Sequence, residues 1–581
     1  MTIAPMSTTC LGLITIAVLA GCEQPVEPAL PDGEYADRVF RGGSILTMDP
    51  GQPSAETVAI RGERIVFVGD DEEAEALIGP DTRIEELGSQ ALLPGLIDAH
   101  GHFGFTARLL SLVNLSPPPV GPVVSIEDIV EQLRADIVAN EIPPGAWVMG
   151  YGYDDSLLEE RRHPTREDLD RVSTEHPVGI LHVSGHLAVA NSAALDAVSI
   201  DASSTNPPGG IIRRTGASQE PNGVLEETAA YAVMGQLAKG SPEEFESQLR
   251  KAAGYYASFG ITTAQDASVS PDSIAFFKSI AQKQPLPIDV AAYPVLNQYP
   301  LQAVEQFRSE STYTHGYRVA GAKLSLDGSP QGRTAWLSEP YAEGPEGADP
   351  DYVAYPTLDP ESYKSIAAVL LGNAVPILVH ANGDAAIDLM MDGVEDAFDK
   401  TALPDHRSVI IHAQLMREDQ LDRASELGCV PSFFSAHPFF WGDWHRASFG
   451  DERALNISPI RSAEDRGVPY TIHNDSPIVP PDMMRLVWAT VNRETRSGFV
   501  LGAHQRASVR DALNAITQTA AWQYFEEDRK GSITTGKQAD LVILDRDPLA
   551  VDPESIKDIR ILETIARGAT VFLRASANDR S

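Results

Sequence analysis

Through the middle of the chain, short apolar runs of strand length recur with stretches of helical periodicity between them, the βα alternation of a parallel sheet. Eight such runs can be counted: "GLIDAHGH" from Gly95, "GITTAQDA" from Gly260, "IDVAAYPV" from Ile288, "RVAGAKLSLDG" from Arg318, "VPILVHANGD" from Val375, "SVIIHAQ" from Ser408, "CVPSFFSA" from Cys429 and "VPYTIHND" from Val468. Eight is the number a (β/α)8 barrel needs, so the expected fold class is α/β, with a TIM-type barrel over residues 95–530. The first gap is too long for one crossover. It predicts a subdomain inserted over residues 143–234, with its own "WVMGYGYD" and "GILHVSGH" segments. Both ends of the chain read differently. "DRVFRGGSILTM", "AETVAIRG" and "ERIVFVGD" are short β-runs bounded by Gly, Asp or Pro, and "GSITTGKQADLVILD" and "IRILETIARGATVF" repeat the pattern. A flanking β-sandwich built from residues 37–94 and 531–575 is expected. "SVRDALNAITQTAAWQY" reads as one closing helix with Trp522 in its core face, and "HPFFWGDWH" (His437 to His445) as an aromatic-rich loop after the seventh strand. That loop is either a wall of an apolar pocket or lid packing.

Composition narrows the function classes. Hydrophobic residues make up 43% of 581 and charged residues 22%, a globular balance. Lys and Arg number 45 against 82 Asp and Glu, a net charge of −37 that argues against a nucleic-acid partner and against adhesion to anionic lipid by charge alone. Of three cysteines, Cys10 lies in the apolar run from Thr8 to Cys22, which is short for a span and reads as a signal peptide over residues 1–21. Its end, Leu19-Ala20-Gly21-Cys22, resembles the bacterial lipobox. The resemblance implies cleavage before Cys22 and lipidation of its sulfur. Residues 22–36, rich in Pro and acid, then form a tether holding an exported protein to a membrane, facing the periplasm or cell exterior. Glu23 after the Cys fits outer-membrane sorting. An ordinary signal peptide with a chance Cys is the alternative. Cys429 is expected as a small buried apolar residue, without a disulfide partner.

In a barrel, catalytic groups sit at the carboxyl ends of the strands. The first strand ends in His100-Gly101-His102, where alternation places both rings on one face; the fourth offers Lys323, the fifth His380, the sixth His412 and the eighth Asp475. Among 14 His, one His-x-His means little. The signal is the set. "LPGLIDAHGH", "GAKLSLDGSPQGRTA", "VHANGDAAI", "IIHAQL", "NDSP" and "GSITTGKQADLVIL" together resemble the amidohydrolase superfamily, in the branch containing the N-substituted formamide deformylases. The resemblance implies that His100, His102 and Asp475 bind one metal, that His380 and His412 bind a second, and that Lys323, carbamylated by carbon dioxide, bridges them. His473-Asn474-Asp475 stands where Gly-Ser-Asp is more usual.

These residue types suit that chemistry. Zinc accepts imidazole nitrogen and carboxylate oxygen together, at one or two ions per chain. A Lys reacts with carbon dioxide only as the neutral amine, which requires a lowered pKa. Bound water falls to a pKa of about 7, and Asp475 can pass its proton to a leaving nitrogen. An unmodified Lys323, pairing with Asp327 or a substrate carboxylate, would leave a mononuclear site. His182, His437, His445 and His473 are expected in structural or substrate-contact roles. The resemblance places His186 and Asp154 near the pocket, and Arg333 could bind an acidic part of a small-molecule substrate; each has a plain packing role as its alternative. The expected function is hydrolysis of an amide-type C–N bond, in an N-acyl or N-formyl amine, by metal-activated hydroxide. A lactone, ester or carbamate hydrolase, a deaminase, and a non-catalytic binding lipoprotein are the alternatives, and self-association into a homo-oligomer is left open.

Overall fold

The computed structural model of the chain describes residues 35–575 except 208–209, 217, 239–240, 346 and 399–403. The apolar N-terminal run, Cys22 and the tether up to residue 34 lie outside the described residues.

All eight expected runs carry parallel strands. Leu96–Ile97, Ile261–Asp266, Asp289–Ala292 and Tyr317–Val319 form one arc; Ala322–Ser325, Ile377–Ala381, Val409–His412, Val430–Phe433 and Thr471–Ile472 form the other. The fourth run is therefore two segments. Tyr317–Val319 pairs with Asp289–Ala292, and the chain then shifts so that Ala322–Ser325 pairs with Ile377–Ala381. The shift passes through Gly321, where a Cβ would sit 2.3 Å from the Pro376 carbonyl oxygen. A bridge between Val295 and Lys323 links the arcs on one side. On the other, the His102 N–H donates to the Ser476 carbonyl at 2.7 Å. The result is a TIM-barrel-type α/β fold. Strand alternation sorts its core: Leu378, Val409, Ile411 and Val430 face inward onto Ile97, Ala291 and Tyr293, while Ile377, Val379 and Ile410 join the outer layer with helix residues such as Tyr363, Ile387 and Met390. Among the described residues no helix is long and apolar enough to cross a membrane.

Three expectations need correction. The inserted unit is a six-stranded sheet in the order Gly210–Arg214, Pro221–Glu227, Leu187–Ala190, Val178–His182, Val148–Tyr153, Val113–Asn114. The helix Ile126–Ala139 packs Ile129, Val130 and Leu133 onto Val148, Val178 and Ile180. The unit thus begins near Val113 rather than at residue 143, and the Pro-Pro-Gly at 143–145 is a turn inside it. "HPFFWGDWH" is not a loop but the start of the helix His437–Phe449. Pro438 sits in its first turn, where a missing N–H is harmless. His437, Trp441, His445 and Phe449 recur every four residues and stack along one face, with ring centroids 4.7 Å (His437–Trp441), 5.1 Å (His437–His445) and 5.6 Å (His445–Phe449) apart. The closing helix is two, Val509–Ala515 and Gln518–Gln523, parted at Thr517, whose hydroxyl bonds the Leu513 carbonyl at 2.7 Å. Trp522 is only half-buried, under the Arg407 guanidinium at 4.4 Å.

The chain ends meet in two sheets. Arg64–Gly69, Thr57–Arg61, Arg38–Arg41 and Arg83–Glu86 form one; Ser44–Ile45, Ala91–Pro94, Leu541–Leu544, Ile561–Ala566 and Ala569–Leu573 form the other. Phe40, Ile60, Leu92, Leu541 and Ile565 share one apolar cluster between them. Beneath the strands, at the end away from Lys323, His380 and Asp475, lies a buried ion cluster. Lys530 Nζ bonds Asp289 Oδ2 at 2.5 Å, Glu526 Oε2 at 3.1 Å and Thr263 Oγ1 at 2.9 Å, and Arg567 also pairs with Asp289. Removing one partner of such a pair strands the other charge in low dielectric. Lys530→Ala is expected to lower stability by about 3–5 kcal/mol, read from the denaturant midpoint; an unchanged midpoint would show that the cluster does not hold the barrel base.

Candidate metal centre

His100 and His102 converge through a turn rather than by strand alternation. The first strand stops at Ile97, and His102 immediately precedes the helix Phe103–Leu109. Gly101 makes the turn possible, since a Cβ there would meet Asp98 Oδ2 at 2.4 Å. The two rings stand 5.1 Å apart at 75°. Asp475, beyond Thr471–Ile472, has φ of 54°, a left-handed conformation that a non-glycine residue adopts at a cost. Its Oδ1 lies 3.3 Å from His100 Nε2 and 3.0 Å from His102 Nε2.

The chemistry of this donor set tests whether it fits a cation. Gln265 donates its amide to the Ala99 carbonyl at 2.9 Å and to Tyr524 Oη at 2.7 Å, so its oxygen faces His100 Nδ1 at 2.6 Å. Nδ1 therefore carries the hydrogen, and the Nε2 lone pair is turned toward the Asp475 carboxylate. Burial drives the His100 pKa down to about 3, with nearby Lys323 adding to the shift, so the ring is neutral. A lone pair and a buried carboxylate oxygen at 3.3 Å repel unless a cation stands between them. Donors bound at about 2.0–2.1 Å to a tetrahedral ion are themselves about 3.3 Å apart. His100, His102 and Asp475 keep all three donor atoms within 4.8 Å of one another, so the residues fit a divalent metal.

A second group adjoins the first. His380 Nδ1 lies 3.1 Å from His412 Nε2, and Lys323 Nζ lies 3.4 Å from His100 Nε2. Lys323 and His380 face inward by alternation, on neighbouring strands. His412 does not: Ile410, two residues before it, faces the helices. A left-handed φ of 76° re-aims the ring. On its far side His412 Nδ1 is 3.1 Å from His473 Nε2, whose Nδ1 is 2.9 Å from Ser432 Oγ, so His473 orients His412. Burial lowers the Lys323 pKa to about 7, against the attraction of Asp475. Asp327 is not its partner; it takes the N–H groups of Asn382, Gly383 and Trp336 at 3.0, 2.8 and 3.1 Å and fixes the turn after the His380 strand.

Lys323, His380, His412, Asp475, His102, His186 and His437 line one cavity of about 290 Å³. Asp154 and Arg333 do not line it. Asp154 accepts from Ser156 N and Oγ at 3.0 and 2.6 Å and from Trp441 Nε1 at 3.3 Å. Arg333 lines an outer vestibule and engages Glu343, the Gly344 carbonyl and Ser448 Oγ at 2.8, 2.7 and 3.0 Å, so its guanidinium is already held. Sequence reasoning missed Gln265 and Asp266. The rule that picked the other strand ends, applied to "GITTAQDA", would have returned both. Burial lifts Asp266 to about 6 and Asp98 to about 7.

A parallel α/β fold that gathers neutral imidazoles and a carboxylate at the carboxyl ends of its strands defines a metal-dependent hydrolase of the barrel type. Residues 85–572 match the model of the amidohydrolase family, and the chain belongs to that family. It is 27% identical over 556 residues to the N-substituted formamide deformylase of Arthrobacter pascens, covering 94% of this chain and 100% of that one. In structure it resembles an uncharacterized metal-dependent hydrolase of Pyrococcus furiosus, with a TM-score of 0.69 and 26% identity over 88% of this chain and 99% of the other. A Pyrococcus horikoshii metal-dependent hydrolase shares the fold, at TM-score 0.71 and 24% identity over 89% of this chain and 99% of that one.

Proposed function

We propose that the protein hydrolyses amide-type C–N bonds, in an N-acyl or N-formyl amine, with metal held by His100, His102 and Asp475 and by His380, His412 and Lys323. The observation that carries this reading is the buried Asp475 carboxylate, whose Oδ1 faces the Nε2 atoms of His102 and His100 at 3.0 and 3.3 Å. Zinc, favoured by the mix of nitrogen and oxygen donors, would supply a Lewis acid and a water acidic near neutral pH. The chain's residues do the rest. Asp475 takes a proton from the attacking water and returns it to the leaving nitrogen, which an amide requires because an unprotonated nitrogen anion leaves poorly. His186 and His437, on the cavity wall, contact the acyl group. The choice of a C–N bond draws support from the formamide deformylase relative. The same reading closes the two arcs into a cylinder, with the two terminal sheets sandwiched at its base and the inserted sheet beside its mouth.

A panel of N-formyl amines, N-acyl amino acids, esters and lactones, offered to zinc-loaded protein, tests the bond. Amide turnover, lost by a factor of about 10² or more in Asp475→Asn, is the expected result; turnover of esters or lactones alone would replace the amidase reading.

Lys323, as its neutral amine, would take up carbon dioxide, and the carbamate would supply a metal-binding oxygen beside His380 and His412. With its pKa near 7, the neutral amine predominates above that pH and the protonated, unreactive form below it. Recovery of activity when metal-free protein is given zinc and bicarbonate is expected to slow as pH falls through 7, and Lys323→Ala is expected to recover with added short-chain carboxylate. Recovery indifferent to bicarbonate and pH would leave Lys323 a plain amine.

Export and lipid anchoring through Cys22, to the outer membrane, complete the proposal. Native protein is expected in the membrane fraction and Cys22→Ser in the soluble periplasmic fraction; identical partitioning of the two would remove the anchor.

A further inference from the structure

Two histidines outside the metal set form a pair whose hydrogens can be placed. His437 and His445 lie two turns apart on the helix His437–Phe449, with rings stacked at 10° and His437 Nδ1 2.8 Å from His445 Nε2. Both are buried, and burial holds both neutral: it lowers His437 well below the ordinary value and His445 to about 3. Each neutral ring carries one hydrogen, and one hydrogen lies between the two facing nitrogens.

Two assignments satisfy this. If His437 Nδ1 donates, His445 must carry its hydrogen on Nδ1, and that nitrogen is buried with no hydrogen-bond partner. An N–H would then be stranded without an acceptor. If His445 Nε2 donates instead, its Nδ1 keeps only an unused lone pair, and His437 carries its hydrogen on Nε2. Stranded buried N–H groups are rarer than unused acceptors, so the second assignment stands. His437 lines the cavity that holds Asp475 and His412, and its Nε2 has no hydrogen-bond partner among the described residues. Phe434, edge-on at 4.4 Å, and Trp441, at 4.7 Å, hold the ring in place.

We infer that His437 presents an Nε2–H to the cavity and donates it to the substrate carbonyl oxygen as that oxygen gains negative charge, and that His445 is a positioning residue that sets the tautomer. The inference rests on the hydrolase reading for its substrate, but not for its geometry. A fixed neutral donor aimed at a developing oxyanion stabilises the transition state more than the ground state. The function does not need His437 as a base: its one free nitrogen is a donor, and the proton traffic belongs to Asp475.

Three measurements on the full chain decide this. Long-range proton–nitrogen correlation spectra of protein carrying isotope-labelled histidine, assigned by loss of signals in His437→Gln and His445→Gln, are expected to show both rings as Nε2–H tautomers; an Nδ1–H His437 overturns the inference. Methylphosphonate, a tetrahedral anion, is expected to bind zinc-loaded His437→Ala at least about tenfold more weakly than the parent at equal metal content; equal affinity overturns it. On a turned-over amide, His437→Ala is expected to lower kcat by about 10²–10³ with KM little changed. The donor-bearing His437→Gln should recover part of that loss, and His445→Phe should lower kcat while leaving metal content intact. A loss confined to KM overturns the donor role. Absence of turnover on every amide and ester counts against the hydrolase reading alone, because the spectra and the phosphonate affinities still decide the tautomer and the donor.

Discussion

Electron-rich atoms held face to face in a dry place are the constraint around which this molecule is arranged. The Asp475 carboxylate and the lone pair of His100 would repel without a cation, and the protein spends structure to keep them together. Gln265 is the latch. Its amide is satisfied by Ala99 and Tyr524, so its oxygen has one place to point, and His100 has one tautomer. Tyr524 in turn donates to the Asp98 carbonyl at 2.7 Å, which joins the C-terminal helical segment to the turn that carries His100. Asp475 and His412 both sit in left-handed backbone, a strain tolerated where ligand direction matters more than local comfort.

The same economy of hydrogen atoms governs the cavity wall. Ser432, His473 and His412 form one ordered chain of ring nitrogens, and His445 and His437 form another. In each, a ring remote from the cavity decides which nitrogen of the nearer ring is bare and which carries hydrogen. The first chain aims His412 Nε2 at His380, and the second leaves a donor.

How far the sequence could be read depends on which signals are periodic. Eight apolar runs at strand length were legible, and so were the polar residues that end them, since alternation alone turns Lys323 and His380 inward. Alternation does not turn His412 inward: its direction comes from a positive φ that no pattern announces. The His100–His102 pair likewise converges through a turn that needs Gly101. The helix over His437–Phe449 was missed although its four-residue aromatic stripe was visible, because Pro, Gly and clustered aromatics suggest a loop before they suggest a face. The start of the inserted unit was misplaced since Val113–Asn114 is two residues long, too short to mark an element. Gln265 is a polar strand end like the others, but only its neighbours Ala99, Tyr524 and His100 give it a task.

The strand Leu541–Leu544 lies between Ala91–Pro94 and Ile561–Ala566 in the second terminal sheet. More than four hundred residues separate the first two in the chain. As the chain folds, Ala91–Pro94 therefore stays apolar and unpaired along one edge until Leu541–Leu544 arrives. Completion of the fold waits on its C-terminal strands. Truncation before Leu541 would leave that edge uncovered, a sticky intermediate rather than a smaller enzyme.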